Sequence, residues 1–192
     1  MSANVQSLLD TNTPPEPVVI RYLADCPQHI PVIATWIFDY WGKSYGFKSL
    51  QDQINALSRR LYRNRIPLAL VAFSGSRPVG TASLKIQEMP MRKQFYYWLG
   101  SVYVIPEFRG RGIGRSLVTR CETVAAEIGV TDLFLHTPDK QGFYRKLNWN
   151  SVEKCIYHDM SVVIMKKSLP GPIYRYWYDN SGLNLERRHV HV

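Results

Sequence analysis

Cysteine is scarce in this chain: Cys26, Cys121 and Cys155 are its only three, 95 and 34 residues apart. An odd set without paired spacing excludes a disulfide frame or a zinc site, and reads as reduced thiols of a cytoplasmic protein. No apolar run approaches the ~18 residues a membrane span requires, so no membrane partner is expected. Residues 1–17 hold no basic residue before Arg21 and no apolar stretch, so no signal peptide is expected. Internal repeats and low-complexity tracts are also missing. Acidic residues are few, 15 against 24 Lys and Arg, for a net charge of +9. Such a field draws anions, whether nucleic acid, an acidic protein or a phosphorylated cofactor. Six of the basic residues fall between Lys43 and Arg65 against the single acid Asp52, which also fits a solvated helix face. What the chain does have is 24 aromatic residues and 45% apolar content over 192 residues, enough for one well-filled core.

The elements follow from periodicity. Residues 1–17, with Pro14, Pro15 and Pro17, read as a flexible N-terminal arm. Val18–Leu23 reads as a strand. Ile30, Ile33, Ala34, Ile37 and Trp41 keep helical spacing up to Gly42. Ser49 and Asp52 resemble a capping box opening a second helix through Leu50, Ile54, Leu57 and Leu61, whose other face carries Arg59, Arg60 and Arg63. Leu68–Ser74 and Val79–Gln87 flank a Gly75–Ser76 turn as a hairpin, and Phe95–Val104 is a longer strand. Leu117, Val118, Cys121, Val124, Ala125 and Ile128 predict a helix ended by Gly129. Leu133–His136 predicts a strand, Lys140–Leu147 a short helix, and Val152–Tyr157 with Ser161–Lys166 a closing strand pair. This order implies an α+β (mixed α/β) plan around one dominant sheet. Residues 170–192 break the pattern as an aromatic and basic C-terminal tail.

The densest local signal is the loop Tyr103-Val104-Ile105-Pro106-Glu107-Phe108-Arg109-Gly110-Arg111-Gly112-Ile113-Gly114-Arg115, between a strand and an amphipathic helix. Gly110, Gly112 and Gly114 clear side chains from the path of a bulky anion. The helix start behind them offers unpaired N–H groups and a positive dipole end, while Arg109, Arg111 and Arg115 add charge. The combination is a pyrophosphate cradle. A Walker loop needs Lys before Ser or Thr, where Arg115 stands, and the dinucleotide pattern needs a third glycine at that same position. The spacing that fits is Arg109-x-x-Gly112-x-Gly114.

With that loop, the preceding Ser101-Val102-Tyr103-Val104, and the later Gly142-Phe143-Tyr144-Arg145-Lys146-Leu147-Asn148-Trp149, the chain resembles the GNAT superfamily of acetyl-CoA-dependent N-acetyltransferases. Leu135–Lys140 is similar to a bacterial branch. The resemblance covers residues 18–169 and implies a single central mixed sheet of about six to seven strands with about four flanking helices. It implies that Val102, Tyr103 and Val104 pair with the pantetheine arm like an added strand. Arg109, Gly110, Arg111, Gly112, Ile113, Gly114 and Arg115 would then hold the pyrophosphate, with Tyr144 near the thioester sulfur. Tyr144 is thus the candidate catalytic residue, a phenol able to protonate the departing thiolate.

Three departures matter. Gly100 stands where many members carry a glutamate base, Asn148 where a glycine is usual, and Thr137–Pro138 where an asparagine is frequent. Asn tolerates the left-handed conformation that ends a helix, so the turn at 148 is expected to survive. The base stays open among Glu88, Asp139, His136 and a water chain. Glu88, Trp41 and Tyr45 are candidate acceptor contacts, whereas Trp36 reads as core. The function implied is transfer of acetyl from acetyl-CoA to a primary amine by direct attack in a ternary complex, without a metal. A covalent acetyl-enzyme has no support, because no cysteine neighbours the cradle. The alternative is a non-catalytic acyl-CoA-sensing or nucleic-acid-associated binding protein of the same fold. Nucleic acid is not the expected partner. The acceptor, a small molecule or a peptide amine, stays open, as does a homodimer.

Overall fold

The computed structural model describes residues 17–42 and 44–171, together with the backbone of 174–179 and 182–187. The expected arm at 1–17 therefore lies outside the described residues except for Pro17.

Among the described residues the first element is β1 (Val18–Tyr22), followed, after two short 3-10 turns, by α1 (Ile30–Trp41) and α2 (Leu50–Ser58). Then come β2 (Leu68–Ser74), β3 (Arg77–Ile86), β4 (Tyr97–Val104), α3 (Ile113–Ile128), β5 (Asp132–Thr137), α4 (Gln141–Arg145), β6 (Asn150–Tyr157) and β7 (Met160–Ser168). Seven strands form one sheet in the order β1-β2-β3-β4-β5-β7-β6. All neighbours are antiparallel except β4 and β5, which run parallel. This is the element order and sheet expected from the sequence. In the region read as a tail, β8 (Tyr174–Asp179) and β9 (Gly182–Arg187) pair as a separate two-stranded sheet.

Helices cover both faces, and β2 shows why its sequence is apolar without alternation. Ala69, Val71 and Phe73 pack with Leu23, Ile33, Ala34, Ile37 and Leu57 on the side of α1 and α2. Leu68, Leu70 and Ala72 pack with Leu117, Val118, Cys121, Val124 and Ala125 of α3 on the other. A third cluster, Met89, Trp98, Phe134, Val162 and Ile164, fills the sheet face beyond the reach of α1.

Element ends shift by one to three residues from the sequence reading, and two of the shifts have a visible cause. The capping residue is as expected, Ser49 accepting the Asp52 N–H at 3.2 Å, but α2 stops at Ser58. The Arg60 N–H closes on Leu57 O at 2.8 Å and Leu61 bridges to Leu68 instead of extending the helix. Arg59, Arg60 and Arg63 therefore do not share a helix face. Arg63 reaches out to Asp25, while Arg60 turns inward to the Ser83 hydroxyl at 3.3 Å. The second difference is that β4 starts at Tyr97, because Phe95 belongs to a turn in which its N–H binds Arg92 O at 2.9 Å.

Candidate active site

The site originates in the one parallel pairing. β4 and β5 meet in register at Trp98↔Phe134 alone, and beyond it β5 follows β7. From Leu99 onward, β4 is paired along one edge only, to β3. Its other edge keeps N–H and C=O groups without a strand partner, the condition under which an extended ligand adds to a sheet. A bulge helps to part the strands: Ser101 and Val102 together oppose Ala82, and Ser101 adopts a φ of 52°.

A cavity of about 720 Å³ fills the gap. Val102, Tyr103 and Val104 form its floor, and Arg109 and Gly114 stand at one end. His136, Thr137, Phe143 and Tyr144 form the β5–α4 wall, and Tyr40, Trp41, Tyr45 and Phe47 the opposite one. Lys85, Glu88 and Gly100 close the other end. Every sequence-predicted contact outside the glycine loop, Tyr144, Val102, Tyr103, Val104, Glu88, Trp41 and Tyr45, therefore lines the same cavity.

The glycine loop supplies backbone. Gly110 and Gly112 have φ values of 75° and 78°, a region costly for residues with a side chain. Gly112 is the N-cap of α3, and the first N–H to close on the helix is that of Ser116, onto Gly112 O at 3.0 Å. The N–H groups of Ile113, Gly114 and Arg115 thus face outward as an anion site. Ile113 offers only its backbone, since its side chain is in the core. Of the arginines, Arg109 folds back to donate from Nε to Val104 O at 2.9 Å, and Arg111 lies over the Phe108 ring at 4.7 Å. Arg115 is exposed. Gly114 sits where an added Cβ would come within 3.7 Å of Phe143, so helix and α4 approach closely.

Tyr144 is held by its neighbours. Its ring packs against Phe143 and Trp149 at centroid distances of 5.0 and 6.0 Å. The turn after α4 is a two-bond cap, Trp149 N–H to Tyr144 O at 3.1 Å and Asn148 N–H to Arg145 O at 3.0 Å. Asn148 has the expected positive φ, 62°. Trp149 donates from Nε1 to buried Glu122 of α3 at 2.7 Å, and Lys167 of β7 binds the same carboxylate at 2.6 Å. Burial pushes the Tyr144 phenol well above its ordinary value, so it is a protonated donor at neutral pH.

The far end of the cavity is polar and crowded. Lys85 Nζ and Glu88 Oε1 are 2.7 Å apart. Burial works against the Glu88 carboxylate, but Lys85 and Arg60 outweigh it and hold its pKa below the usual value. His136 accepts or donates at 3.5 Å to the Tyr45 hydroxyl, and burial lowers its pKa to about 4, so the ring is neutral. Burial raises Tyr45 to about 12. Lys85 was not legible in the sequence as a site residue. Its one signal is a charge near the end of a strand whose preceding residues Val79–Leu84 are all buried. Cys121 is buried in the core under α3, and no cysteine lines the cavity.

Comparisons with known proteins bear on the fold and the family. An uncharacterized N-acetyltransferase of Chlorobaculum tepidum is 41% identical over 54 residues, 28% of this chain, and the match spans about a third (34%) of that relative. An acetyltransferase structure from Streptococcus agalactiae aligns with a TM-score of 0.59 at 21% identity, over 79% of this chain and 98% of that one. An aminoglycoside 6'-N-acetyltransferase complexed with coenzyme A aligns with a TM-score of 0.63 at 17% identity, over 81% and 99%. At such identities these two structures establish the fold. The model of the acetyltransferase (GNAT) family matches residues 30–149, from the start of α1 to the Trp149 that closes the cap behind Tyr144. The chain belongs to the acetyltransferase (GNAT) family.

Proposed function

We infer that residues 18–169 catalyse direct transfer of the acetyl group of acetyl-CoA to a primary amine, with both substrates held in the cleft between β4 and β5. The observation that carries this reading is continuity. One cavity runs from the N-terminus of α3, along the unpaired edge of β4 and past Tyr144, to the Lys85–Glu88 pair. The residues fit the donor. The outward N–H groups of 113–115 suit a diphosphate, and the edge of Val102–Val104, which has no strand partner and whose Val104 carbonyl accepts from Arg109, suits an amide-bearing arm.

In this reading the amine nitrogen attacks the acetyl carbonyl, a C–N bond forms and the C–S bond breaks. A backbone N–H at the end of β4 faces the developing oxyanion, and Tyr144 gives its proton to the departing thiolate. The proton lost by the amine returns to the phenolate or leaves through Glu88 and solvent. The absence of any cysteine from the cavity lining favours this single transfer over an acetyl-enzyme.

The test is release of free coenzyme A thiol in the presence of acetyl-CoA and a panel of peptide, polyamine, aminoglycoside and amino-acid amines, with acetylation of the acceptor read by mass spectrometry. Thiol release coupled to acceptor acetylation is the expected result. Tight acetyl-CoA binding without release for any amine would replace this reading with the acyl-CoA-sensing one.

A further inference from the structure

We propose that the acceptor amine carries its own carboxylate and that Lys85 is the counter-ion that selects it. This rests on the acetyl-transfer reading above and names its substrate class.

The charge count at the acceptor end does not close. Glu88 is one carboxylate, and its Lys85 partner lies with it in the wall, at side-chain exposures of 22% and 14%. Arg60 brings a second cation to this end, fixed by its bond at 3.3 Å to the hydroxyl of Ser83, two residues before Lys85 on β3. Two cations thus share one anion. His136, which lines the cavity at this end, is neutral and offsets nothing, and His158 beside Tyr45 supplies no anion. Asp139 and Lys140, further along the wall, are exposed and paired with each other. A surplus cation in a partly dry wall is costly to leave unmatched.

Lys85 can also be reached. An ammonium has three N–H donors, and Glu88 takes one of them. Lys85 and Gly100 both line the cavity, and the ammonium lies against the bare Gly100 backbone, where an added Cβ would fall 3.0 Å from Nζ. Because position 100 has no side chain, the Lys85 stem and ammonium lie along it at the cavity wall, where a ligand carboxylate can meet the remaining N–H donors. Gly100 lies on β4 just before the bulged Ser101 and the Val102–Val104 edge. A carboxylate at Lys85 thus directs an amine a few bonds away along β4 toward the thioester. A polycation would meet the same surplus charge as repulsion.

The experiment measures thiol-release kinetics with free amino acids, their carboxamides and the matching decarboxylated amines, with spermidine and kanamycin alongside. For acids over amides, kcat/KM is expected to be about ten- to a hundredfold higher, the range of a charged hydrogen bond. Lys85→Met should erase that preference through KM. Because Lys85→Met removes the hydrogen bond that Glu88 accepts, Lys85→Met/Glu88→Gln and Gly100→Glu are tested with it. Gly100→Glu supplies a carboxylate from the chain itself, displaces only the flexible tip of Lys85, and should raise KM for acids by about tenfold. Acids turned over no better than amides or polyamines, no acid accepted, or a preference unchanged in the folded variants would each overturn the proposal. Turnover of amides or polyamines alone would do so with acetyl transfer intact. A protein that neither binds acetyl-CoA by calorimetry nor releases thiol with any amine would lose both readings.

Discussion

Tyr144 and Gly112 separate what a side chain contributes from what backbone contributes. The Tyr144 ring is buried between Phe143 and Trp149, and a phenylalanine keeps that packing while removing the one donor the wall presents at that point. Tyr144→Phe is therefore expected to lower kcat by roughly tenfold or more, with acetyl-CoA affinity and thermal stability unchanged. Steady-state kinetics with calorimetry checks this, and an unaltered kcat on every accepted amine removes Tyr144 from the proton path. Gly112 acts through its φ of 78° and the N–H groups behind it. Gly112→Asp strains that cap and sets a carboxylate where the anion site opens, so acetyl-CoA binding should weaken by at least about tenfold. Wild-type affinity by calorimetry would show that the loop does not hold the diphosphate. Both residues were legible in the sequence because their chemistry is local. Arg60 and Lys85 were not. The first depends on where α2 ends, the second on the register of β3 against β4, and neither is encoded within a few residues of the side chain concerned.

At the scale of the element, termination explains more than propensity. α3 ends with Gly129 at a φ of 98°, its N–H on Ala126 O and that of Val130 on Ala125 O, both 2.9 Å. α4 ends in the same two-bond cap but with Asn148 in the left-handed position. The sequence made this readable, because Asn is the side chain that best tolerates that conformation. Asn148→Gly should leave stability unchanged or raise it by up to about 1 kcal/mol, while Asn148→Ala should cost about 1 kcal/mol. Urea unfolding of the two variants checks the pair, and equal destabilisation by both would mean the Asn side chain matters for something other than φ. The bulge in β4 is the contrasting case. Ser101 has neither glycine nor asparagine character, and nothing local marks it for a φ of 52°. It is imposed by the two-against-one register with Ala82, a property of paired strands that appears only on assembly.

The whole molecule places its ionisable cavity wall between two packed layers, and this makes its stability depend on pH in a specific window. In the unfolded chain the His136 imidazole takes a proton near its ordinary 6.5, whereas burial in the fold delays this to about 4. Between those values the unfolded chain binds the extra proton, so stability held in full above 6.5 is lost as the pH falls toward 4. Glu88 adds a loss of the same sign at lower pH, because Lys85 and Arg60 hold its folded pKa below its unfolded 4.5. The urea midpoint should therefore fall steadily from pH 7 to pH 4.5. In His136→Asn, which cannot titrate, the decline over that interval should flatten while the loss below pH 4.5 persists. Tyr45 makes this sharper. Its hydroxyl sits 3.5 Å from the His136 ring and stays protonated, so it can serve the neutral imidazole as a donor but has no lone charge to offer an imidazolium. If wild type and His136→Asn lose stability in parallel from pH 7 to 4.5, the buried neutral histidine is not the group that binds the proton. The acid sensitivity would then belong to carboxylates elsewhere in the fold.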